Sequence, residues 1–503
     1  MRLLPLSVVA GALAAGSAFV AANPPEPPPG KDPFEAAIPN EALKMPFKDE
    51  APIAFVAKSA NPAEWAKLPA FWNETTEKAT EPITGATVTR RAVKIKVPLG
   101  LSAAPVVPNE NPMTVAKWEL GKKLYFDKML STNGTISCAT CHNPEKGFTD
   151  QRHKSLGIGD QLGGANAPTV INSAYHRLQF WDGRAISLED QAQGPVGNNL
   201  EMFAGKGDAW EEAVIRLRGN EEYVKAFKAV FGHLPTRDAA AKAIATYERT
   251  VLSGNSVFDR AEVAMRKRVA DDETEKPELK GVDFAAVLKE AFASKDAAAL
   301  TPLGLDAEKD AGKAEAIGAK IANGRNVFFG KARCSNCHVG DNFTDNNFHN
   351  LGVGVVDGKF PLAEQGRYLR LPTGHKDPTQ IGAWKTPGLR ALTVTKPYMH
   401  DGSEATLEAV VDFYDKGGNP HEFLDAKMRD VNAEDAYLKA KAEGKEYTGP
   451  KPALFGRGGR PVIPFKLNLT AEEKADLVLF LKALEGDAIP AIVADPKTFA
   501  AGK

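Results

Sequence analysis

The chain has 503 residues, of which 25% are charged and 43% hydrophobic, an ordinary composition for a globular protein. This length accommodates about two or three domains that fold without help from disulfides. Lysine and arginine total 63 against 64 aspartate and glutamate residues, so no overall charge attracts nucleic acid or an anionic membrane.

The first residues have the pattern of a secretory signal peptide. Arg2 precedes a run of small and apolar residues that ends at Val20-Ala21-Ala22. We expect residues 1–22 to be removed before Asn23 and the protein to be periplasmic. An N-terminal membrane anchor is the alternative, but the stretch is short for a span and rich in alanine and glycine. No later segment has the composition of a span, so no stable membrane insertion is predicted.

Residues 23–105 form an extension that is proline-rich at its start and contains a β-like stretch from Ala86 to Pro98. It has no cysteine and no recognisable chemistry. We interpret it as a segment for packing or for docking a partner, in preference to a catalytic one.

All four cysteines fall in two C-x-x-C-H motifs, Cys138-Ala139-Thr140-Cys141-His142 and Cys334-Ser335-Asn336-Cys337-His338. In c-type cytochromes the two thiols form thioethers with the haem and the following histidine binds the iron. Two disulfides, redox dithiols or half zinc sites are the alternatives. Two such motifs that use every cysteine of an exported chain predict two covalently bound haem c groups.

The motifs lie in an internal repeat. Leu120-Gly121-Lys122 begins a stretch before the first motif that matches Asn323-Gly324-Arg325 before the second, and Phe148-Thr149-Asp150 matches Phe343-Thr344-Asp345 after them. The apolar positions upstream of each motif have helical periodicity. The sequence therefore predicts a mainly α protein with two tandem cytochrome c domains, one haem in each.

The predicted domains follow from this repeat. They are a first cytochrome c domain at 106–262, a charged surface insertion at 263–316, a second cytochrome c domain at 317–425, and a closing segment at 426–503. A helical stretch from Ala239 to Val251 ends the first domain. In the closing segment a long loop over 426–462 precedes a helix, for which Thr470 and Glu473 form a capping box.

Several further segments resemble the bacterial di-haem cytochrome c peroxidase and MauG family over residues 106–485. They are Asn166-Ala167-Pro168-Thr169, Phe180-Trp181-Asp182-Gly183-Arg184, Leu188-Glu189-Asp190-Gln191-Ala192, Gly194-Pro195, Glu201-Met202, Pro397-Tyr398-Met399-His400-Asp401-Gly402 and Ala405-Thr406-Leu407-Glu408. The resemblance implies an enzyme that reacts with hydrogen peroxide at the first haem.

The resemblance also implies roles for three side chains. Glu201 is the carboxylate that moves protons to and from peroxide, and Gln191 lines the same pocket. Trp181 lies between the haems and relays electrons. Without the resemblance, Glu201 would be interpreted as a solvated carboxylate and Trp181 as a core residue.

A calcium site between the domains is a further implication of the resemblance. Its ligands are Asn166 and the main-chain carbonyls of Thr395 and Pro397. Oxygen ligands of this kind suit a hard cation, and waters are expected to complete the shell.

Two positions depart from family members that need reductive activation. These members carry a histidine in the loop after the first haem, where this chain has Ile158. Because isoleucine cannot bind iron, the peroxide site is expected to be open in the oxidised enzyme. His153 lies nearby and is the alternative ligand.

The second departure is Tyr414, at the position where the activatable peroxidases have a methionine ligand to the second haem. Ligation by Tyr414 is MauG-like, and a phenolate lowers the potential of the iron. A core tyrosine with a hydrogen-bonded hydroxyl is the alternative. Met399 and His400 could also ligate by residue type, but the family pattern makes them structural or pocket residues.

The expected function is reduction of peroxide with electrons from a periplasmic donor, with one oxidising equivalent held on the second haem. A MauG-like oxidation of residues in a partner protein is the alternative, and a di-haem electron carrier is a third hypothesis. Family members are often dimers, but no residue of this chain establishes a homodimer.

Overall fold

The computed structural model describes residues 51–80, 84–272 and 274–499 of the chain. The expected signal peptide and the proline-rich start of the extension lie outside these residues. Among the described residues, no helix combines the length and the apolar character needed to cross a membrane.

The protein is mainly helical, as predicted. Its helices are α1 Pro62–Lys67, α2 Val115–Phe126, α3 Cys138–Cys141, α4 Leu188–Gln191, α5 Ala209–Arg218, α6 Glu221–Phe231, α7 Arg237–Glu248, α8 Val257–Asp271, α9 Gly281–Ser294, α10 Ala297–Leu300, α11 Ala314–Phe329, α12 Arg367–Arg370, α13 Leu407–Asp415, α14 Val431–Ala442, α15 Ala471–Lys482 and α16 Ala491–Ala494.

Seven short strands accompany the helices in the described part of the chain. They are β1 Ile53–Val56, β2 Trp72–Thr80, β3 Thr87–Lys96, β4 Phe348–Asn350, β5 Ala383–Lys385, β6 Leu454–Phe455 and β7 Pro461–Val462. They form one sheet in the order β1-β3-β2 and two two-stranded sheets, β4-β5 and β6-β7.

The sheet of the extension packs on the first helical core. Strand β3 coincides with the predicted β-like stretch and pairs parallel with β1 and antiparallel with β2. Ile95 of β3 is buried in the same apolar cluster as α2. Trp72 of β2 lies 4.7 Å from Trp118 of α2, measured between ring centroids. The described part of the extension is therefore a packed layer.

Helices α2 and α7 cross at a glycine. A Cβ atom on Gly121 of α2 would lie 1.8 Å from the carbonyl oxygen of Ala243 in α7, so no larger residue fits this crossing without movement. Helix α7 lies where the sequence predicts the end of the first cytochrome c domain.

Helices α11 and α15 repeat this arrangement in the second half. A Cβ atom on Gly324 would lie 1.9 Å from the carbonyl oxygen of Asp476. The predicted capping box is present, since Thr470 accepts from the Glu473 main chain and Glu473 from that of Thr470. Each haem motif is therefore preceded by a helix that crosses a later helix at a close glycine contact.

The charged segment 263–316 is more than a surface insertion. Its helix α9 buries Phe284 and Leu288 in the second apolar cluster. A Cβ on Gly318 of α11 would lie 2.6 Å from the carbonyl oxygen of Gly281, so these two helices are in close contact. The many charged residues of this segment suggested a surface insertion, although α9 also has an apolar face with helical spacing.

The stretch 426–462, expected as a long loop, contains α14 and the β6-β7 pair. Glu434 of α14 is fully buried and accepts two hydrogen bonds from Arg429, the shorter of them 2.5 Å. It also accepts one from the main-chain nitrogen of Ile463 at 2.9 Å. A buried ion pair between polar residues stabilises this segment, and apolar periodicity does not detect such a contact.

The end of the chain returns to the first half. Val493 of α16 is buried in the first apolar cluster, and its carbonyl oxygen accepts a hydrogen bond of 3.0 Å from Tyr247. The ammonium group of Lys122 in α2 donates to the carbonyl oxygens of Ile492 and Thr498 at 2.7 and 2.5 Å. Residues near the C-terminus therefore complete the core that α2 begins.

The glycine crossing makes a testable prediction. We expect Gly324→Ala to lower the free energy of unfolding by about 1–3 kcal/mol, because the new methyl group overlaps the Asp476 carbonyl. Urea unfolding of the haem-loaded protein, followed by far-ultraviolet circular dichroism, measures this change. Gly312→Ala is the control, because open space surrounds that position. Equal unfolding midpoints for the two variants would contradict the crossing.

Candidate functional site

The first motif forms a single helical turn that carries its histidine at the end. Cys138–Cys141 is α3, and His142 is its C-cap. The Nδ1 atom of His142 lies 3.3 Å from the carbonyl oxygen of Phe148. The hydroxyl of Tyr125 donates to the carbonyl oxygen of His142 at 2.8 Å. The histidine is therefore fixed at both its ring and its main chain.

The second motif has matching contacts. The Nδ1 atom of His338 lies 2.8 Å from the carbonyl oxygen of Phe343. Phe148 and Phe343 both have left-handed backbones, with φ of 57° and 52°, which is uncommon for residues other than glycine. The predicted repeat thus places the same backbone conformation and the same carbonyl beside each histidine.

These contacts fit two haem ligands. When Nδ1 donates to a carbonyl, the Nε2 lone pair is free to bind iron, and burial lowers the pKa of both imidazoles, which favours their neutral form. All four cysteines are free of disulfides and are available for thioethers. The residues present therefore match the donor set of haem c at each motif.

A cavity of about 280 Å³ adjoins the second motif. His338 and both cysteines of the motif line it, and so does Tyr414 of α13. The Tyr414 hydroxyl makes no hydrogen bond with any described residue, which does not support the alternative of a hydrogen-bonded core tyrosine. Burial raises the pKa of this phenol. The lining of this cavity thus includes an imidazole nitrogen and a phenol oxygen without a partner among the described residues.

Glu201 lies close enough to the first motif to affect its thiols. Its carboxylate contributes to the electrostatic environment of the thiols of Cys138 and Cys141. The side-chain amide of Asn198 donates to Glu201 Oε1 at 2.6 Å. Burial raises the pKa of Glu201, while the charge of Arg184 and the Asn198 hydrogen bond lower it. Such a carboxyl can exchange a proton nearer to neutral pH than an exposed one.

The loop that contains Ile158 is attached to the backbone of Glu201. The main-chain nitrogen of Ile158 donates to the carbonyl oxygen of Glu201 at 2.8 Å. Ile158 is 1% exposed and belongs to the apolar cluster against which Cys138 packs. His153, the alternative ligand, is exposed on the surface, and its backbone lies against Gly402.

Gln191 ends helix α4 and is half-buried. Its main-chain nitrogen donates to the carbonyl oxygen of Ser187 at 3.0 Å, and its side-chain amide makes no hydrogen bond with a described residue. The amide is therefore available to a ligand, although no contact joins it to Glu201.

Trp181 connects the two halves of the chain. Its indole nitrogen donates to the carbonyl oxygen of Asn166 at 2.9 Å. Its own carbonyl oxygen accepts from the main-chain nitrogen of Lys385 at 2.8 Å. Trp181 also lines the cavity beside the second motif. It is therefore hydrogen-bonded to one segment that follows the first motif and to another that follows the second.

Asn166, Thr395 and Pro397 line that same cavity. The side-chain amide of Asn166 donates to the carbonyl oxygen of Arg152 at 2.6 Å, and its Oδ1 accepts no hydrogen bond from a described residue. These contacts leave one amide oxygen free for a cation.

Sequence reasoning did not detect a buried group of three side chains beside this cavity. The Nε2 atom of His400 lies 2.8 Å from a carboxylate oxygen of Glu364, and its ring stacks on Trp384 with 3.9 Å between centroids. His400, an alternative iron ligand by residue type, is thus engaged by a carboxylate. Glu364 and Trp384 belong to none of the recognised motifs, so no signal pointed to them.

Comparisons with known proteins show which proteins the chain resembles. Residues 115–267 match the model of the di-haem cytochrome c peroxidase family. The chain is 34% identical over 331 residues to a methylamine utilization protein MauG from Methylorubrum extorquens, which covers 64% of this chain and 75% of that protein. It is 33% identical over 347 residues to cytochrome-c peroxidase IdrP1 of Denitromonas iodatirespirans, covering 64% and 78%.

A solved structure is also similar. It is described as a MauG-like protein associated with microbial copper homeostasis. The TM-score is 0.54 at 28% sequence identity, over 78% of this chain and 97% of the other. The likeness therefore extends over most of the described residues.

Proposed function

The chain belongs to the di-haem cytochrome c peroxidase family, and from that premise we propose a periplasmic enzyme that reduces hydrogen peroxide with electrons from a donor protein or small reductant. The observation that carries the proposal is the first site, where the carboxylate of Glu201 acts on a thiol of the first motif and its main-chain carbonyl accepts from the buried Ile158. The resemblance implies that Ile158 stands where members that need activation carry a blocking histidine. The expected signal peptide supports the location but lies outside the described residues.

Each half of the chain is proposed to be a cytochrome c domain, at 106–262 and 317–425. The paired helices that cross at Gly121 and Gly324 support this division. The closing helix α15 comes from the segment 426–503, so the second domain extends beyond residue 425 in structural terms.

In this proposal the cysteines bind two haem c groups, His142 binds the first iron, and His338 with Tyr414 binds the second. When bound, the haems supply a peroxide-reactive iron at the first site and a store for one oxidising equivalent at the second. The free hydroxyl of Tyr414 in the cavity beside His338 supports its role.

Glu201 is proposed to move the protons. As a carboxylate it would take a proton from the oxygen of peroxide that lies nearer to the first haem. It would then return this proton to the other oxygen, which leaves as water. The Asn198 amide holds Oε1, which orients the carboxyl group. Gln191 is proposed to bind peroxide or water through its free side-chain amide.

Trp181 is proposed to relay electrons between the two sites, supported by its hydrogen bonds to Asn166 and Lys385. Asn166, with the carbonyl oxygens of Thr395 and Pro397, is proposed to bind calcium. The free Oδ1 of Asn166 supports that site.

A second candidate function is oxidation of residues in a partner protein. Tyr414 favours it because the MauG-like ligation stabilises oxidised iron. The reaction at the first site is the same in both cases, and the physiological reductant distinguishes them. An electron carrier requires each iron to have two ligands from the protein. The buried Ile158 does not favour this hypothesis, because isoleucine cannot supply the second ligand to the first iron.

The first experiment is the absorption and EPR spectrum of the oxidised protein, before and after one equivalent of hydrogen peroxide. We expect one high-spin and one low-spin ferric haem, and an immediate change on addition of peroxide, because Ile158 cannot bind the first iron as a histidine would. Two low-spin haems that do not respond to peroxide would contradict the open site and favour an activation-dependent peroxidase or an electron carrier.

Removal of the carboxylate tests Glu201. We expect Glu201→Gln to slow the reaction with peroxide by about 10²–10⁴-fold, since an amide cannot accept the proton. Burial raises the pKa of Glu201, so the wild-type rate should fall as the pH drops through that pKa. This decrease should be absent from the pH–rate profile of the variant. Stopped-flow absorbance measures both. Glu211→Gln, on the exposed start of α5, is the control.

Tyr414→Phe tests ligation at the second haem. We expect loss of the original low-spin EPR signal of that haem, because phenylalanine offers no oxygen to the iron. Tyr398→Phe is the matched control: Tyr398 lines the same cavity, but its hydroxyl already donates to the carbonyl oxygen of Leu392 at 2.8 Å. A low-spin signal retained in Tyr414→Phe would rule out this ligand.

A further inference from the structure

Lys385 is a buried cation in the wall of the cavity beside the second motif. It ends strand β5, and its main-chain nitrogen is fixed by the carbonyl oxygen of Trp181. The residue is only 7% exposed, and it lines the cavity together with His338 and Tyr414.

No described residue balances the charge of Lys385. Its ammonium group has no hydrogen bond or ion pair with any of them. Burial lowers the pKa of Lys385 to about 7, and no carboxylate opposes this effect. The titratable group that faces it is the imidazole of His176, whose pKa is lowered to about 3 by burial and by Lys385, so this imidazole is neutral near pH 7. A buried ammonium in such surroundings needs an anion from outside the chain.

The other lysine and arginine residues that line this cavity are either paired or exposed. Arg390 makes a bidentate ion pair with Asp259, with distances of 2.7 and 2.9 Å. Lys427 donates to the carbonyl oxygen of Asn336 at 2.5 Å and lies 3.4 Å from Asp345. Arg333 is exposed and lies over the ring of Phe465. Among the described residues that line the cavity, Lys385 is therefore the buried cation available to an anionic ligand.

The repeat shows that this cation is specific to the second site. The carbonyl oxygen of Pro168 interacts with the imidazole of His142, and that of Pro387 with His338. The residue two positions before Pro168 is Asn166, and the one two positions before Pro387 is Lys385. The two sites thus differ by one positive charge at a matched position.

We propose that Lys385 binds a propionate carboxylate of the second haem. This inference rests on the proposed binding of that haem by the second motif. Thioether formation uses the vinyl groups of a haem and leaves its two propionates free, so the ligand itself brings the anion that the cavity wall lacks. The pair places a fixed positive charge beside the second iron and none at the matched position of the first.

The test is a redox titration of both haems in the full-length, haem-loaded protein without peroxide. We expect Lys385→Met to lower the ratio of reduced to oxidised second haem about ten-fold at a fixed potential, equivalent to about 59 mV, because a cation favours the ferrous state. The first haem should not change. Lys385→Arg should keep most of the wild-type potential, and Lys359→Met, at an exposed lysine, is the control.

If Lys385→Met does not retain its second haem, the propionate bending modes in the resonance Raman spectrum of Lys385→Arg provide the second measurement. These modes should shift relative to the wild type. A second-haem potential equal to that of Lys359→Met, or unshifted modes in Lys385→Arg, would overturn the inference. Loss of an iron–nitrogen ligand in both Lys385 variants would also overturn it. A wild type that fails to react with peroxide would contradict the proposed function alone.

Discussion

The hydrogen bond that the imidazole of each motif histidine donates to a main-chain carbonyl oxygen is the constraint on which each half depends. It requires Phe148 and Phe343 to adopt left-handed backbones, at a cost of roughly 1–2 kcal/mol each. Both phenylalanine rings are buried in the apolar cluster of their own half, which offsets that cost. The position of the iron ligand is therefore determined by the packing of the helices, and the loop that contains the histidine has little freedom of its own.

The first site adds a second constraint of the same kind. Ile158 and Glu201 are joined through the backbone, so the loop that contains Ile158 is also bonded to the residue proposed to supply the carboxylate. Gly157 leaves no room for a side chain, since a Cβ there would lie 1.9 Å from the carbonyl oxygen of Leu200. A movement of this loop would therefore displace Glu201 as well. Such rigidity suits the proposed function, in which no movement of this loop precedes the reaction with peroxide.

Features with local signals could be predicted from the sequence. The spacing of the cysteines gave the two motifs, and a capping box located α15. Features that depend on contacts between distant residues could not be predicted. Helix α14 depends on the buried pair of Glu434 and Arg429, and the stack of Trp384 on His400 joins residues without a common motif. The resemblance identified Tyr414, but only the structure reveals that its hydroxyl is left without a partner.

The return of the C-terminal segment to the first half affects the order in which the protein can be assembled. A ribosome makes the α2 segment before the second motif, whereas Val493 and its neighbours, which cover part of the same core, are made after that motif. The core of the first half can therefore close only after the second motif has been made. Attachment of the first haem can precede this closure, so the chain can receive its cofactor while that core is still incomplete.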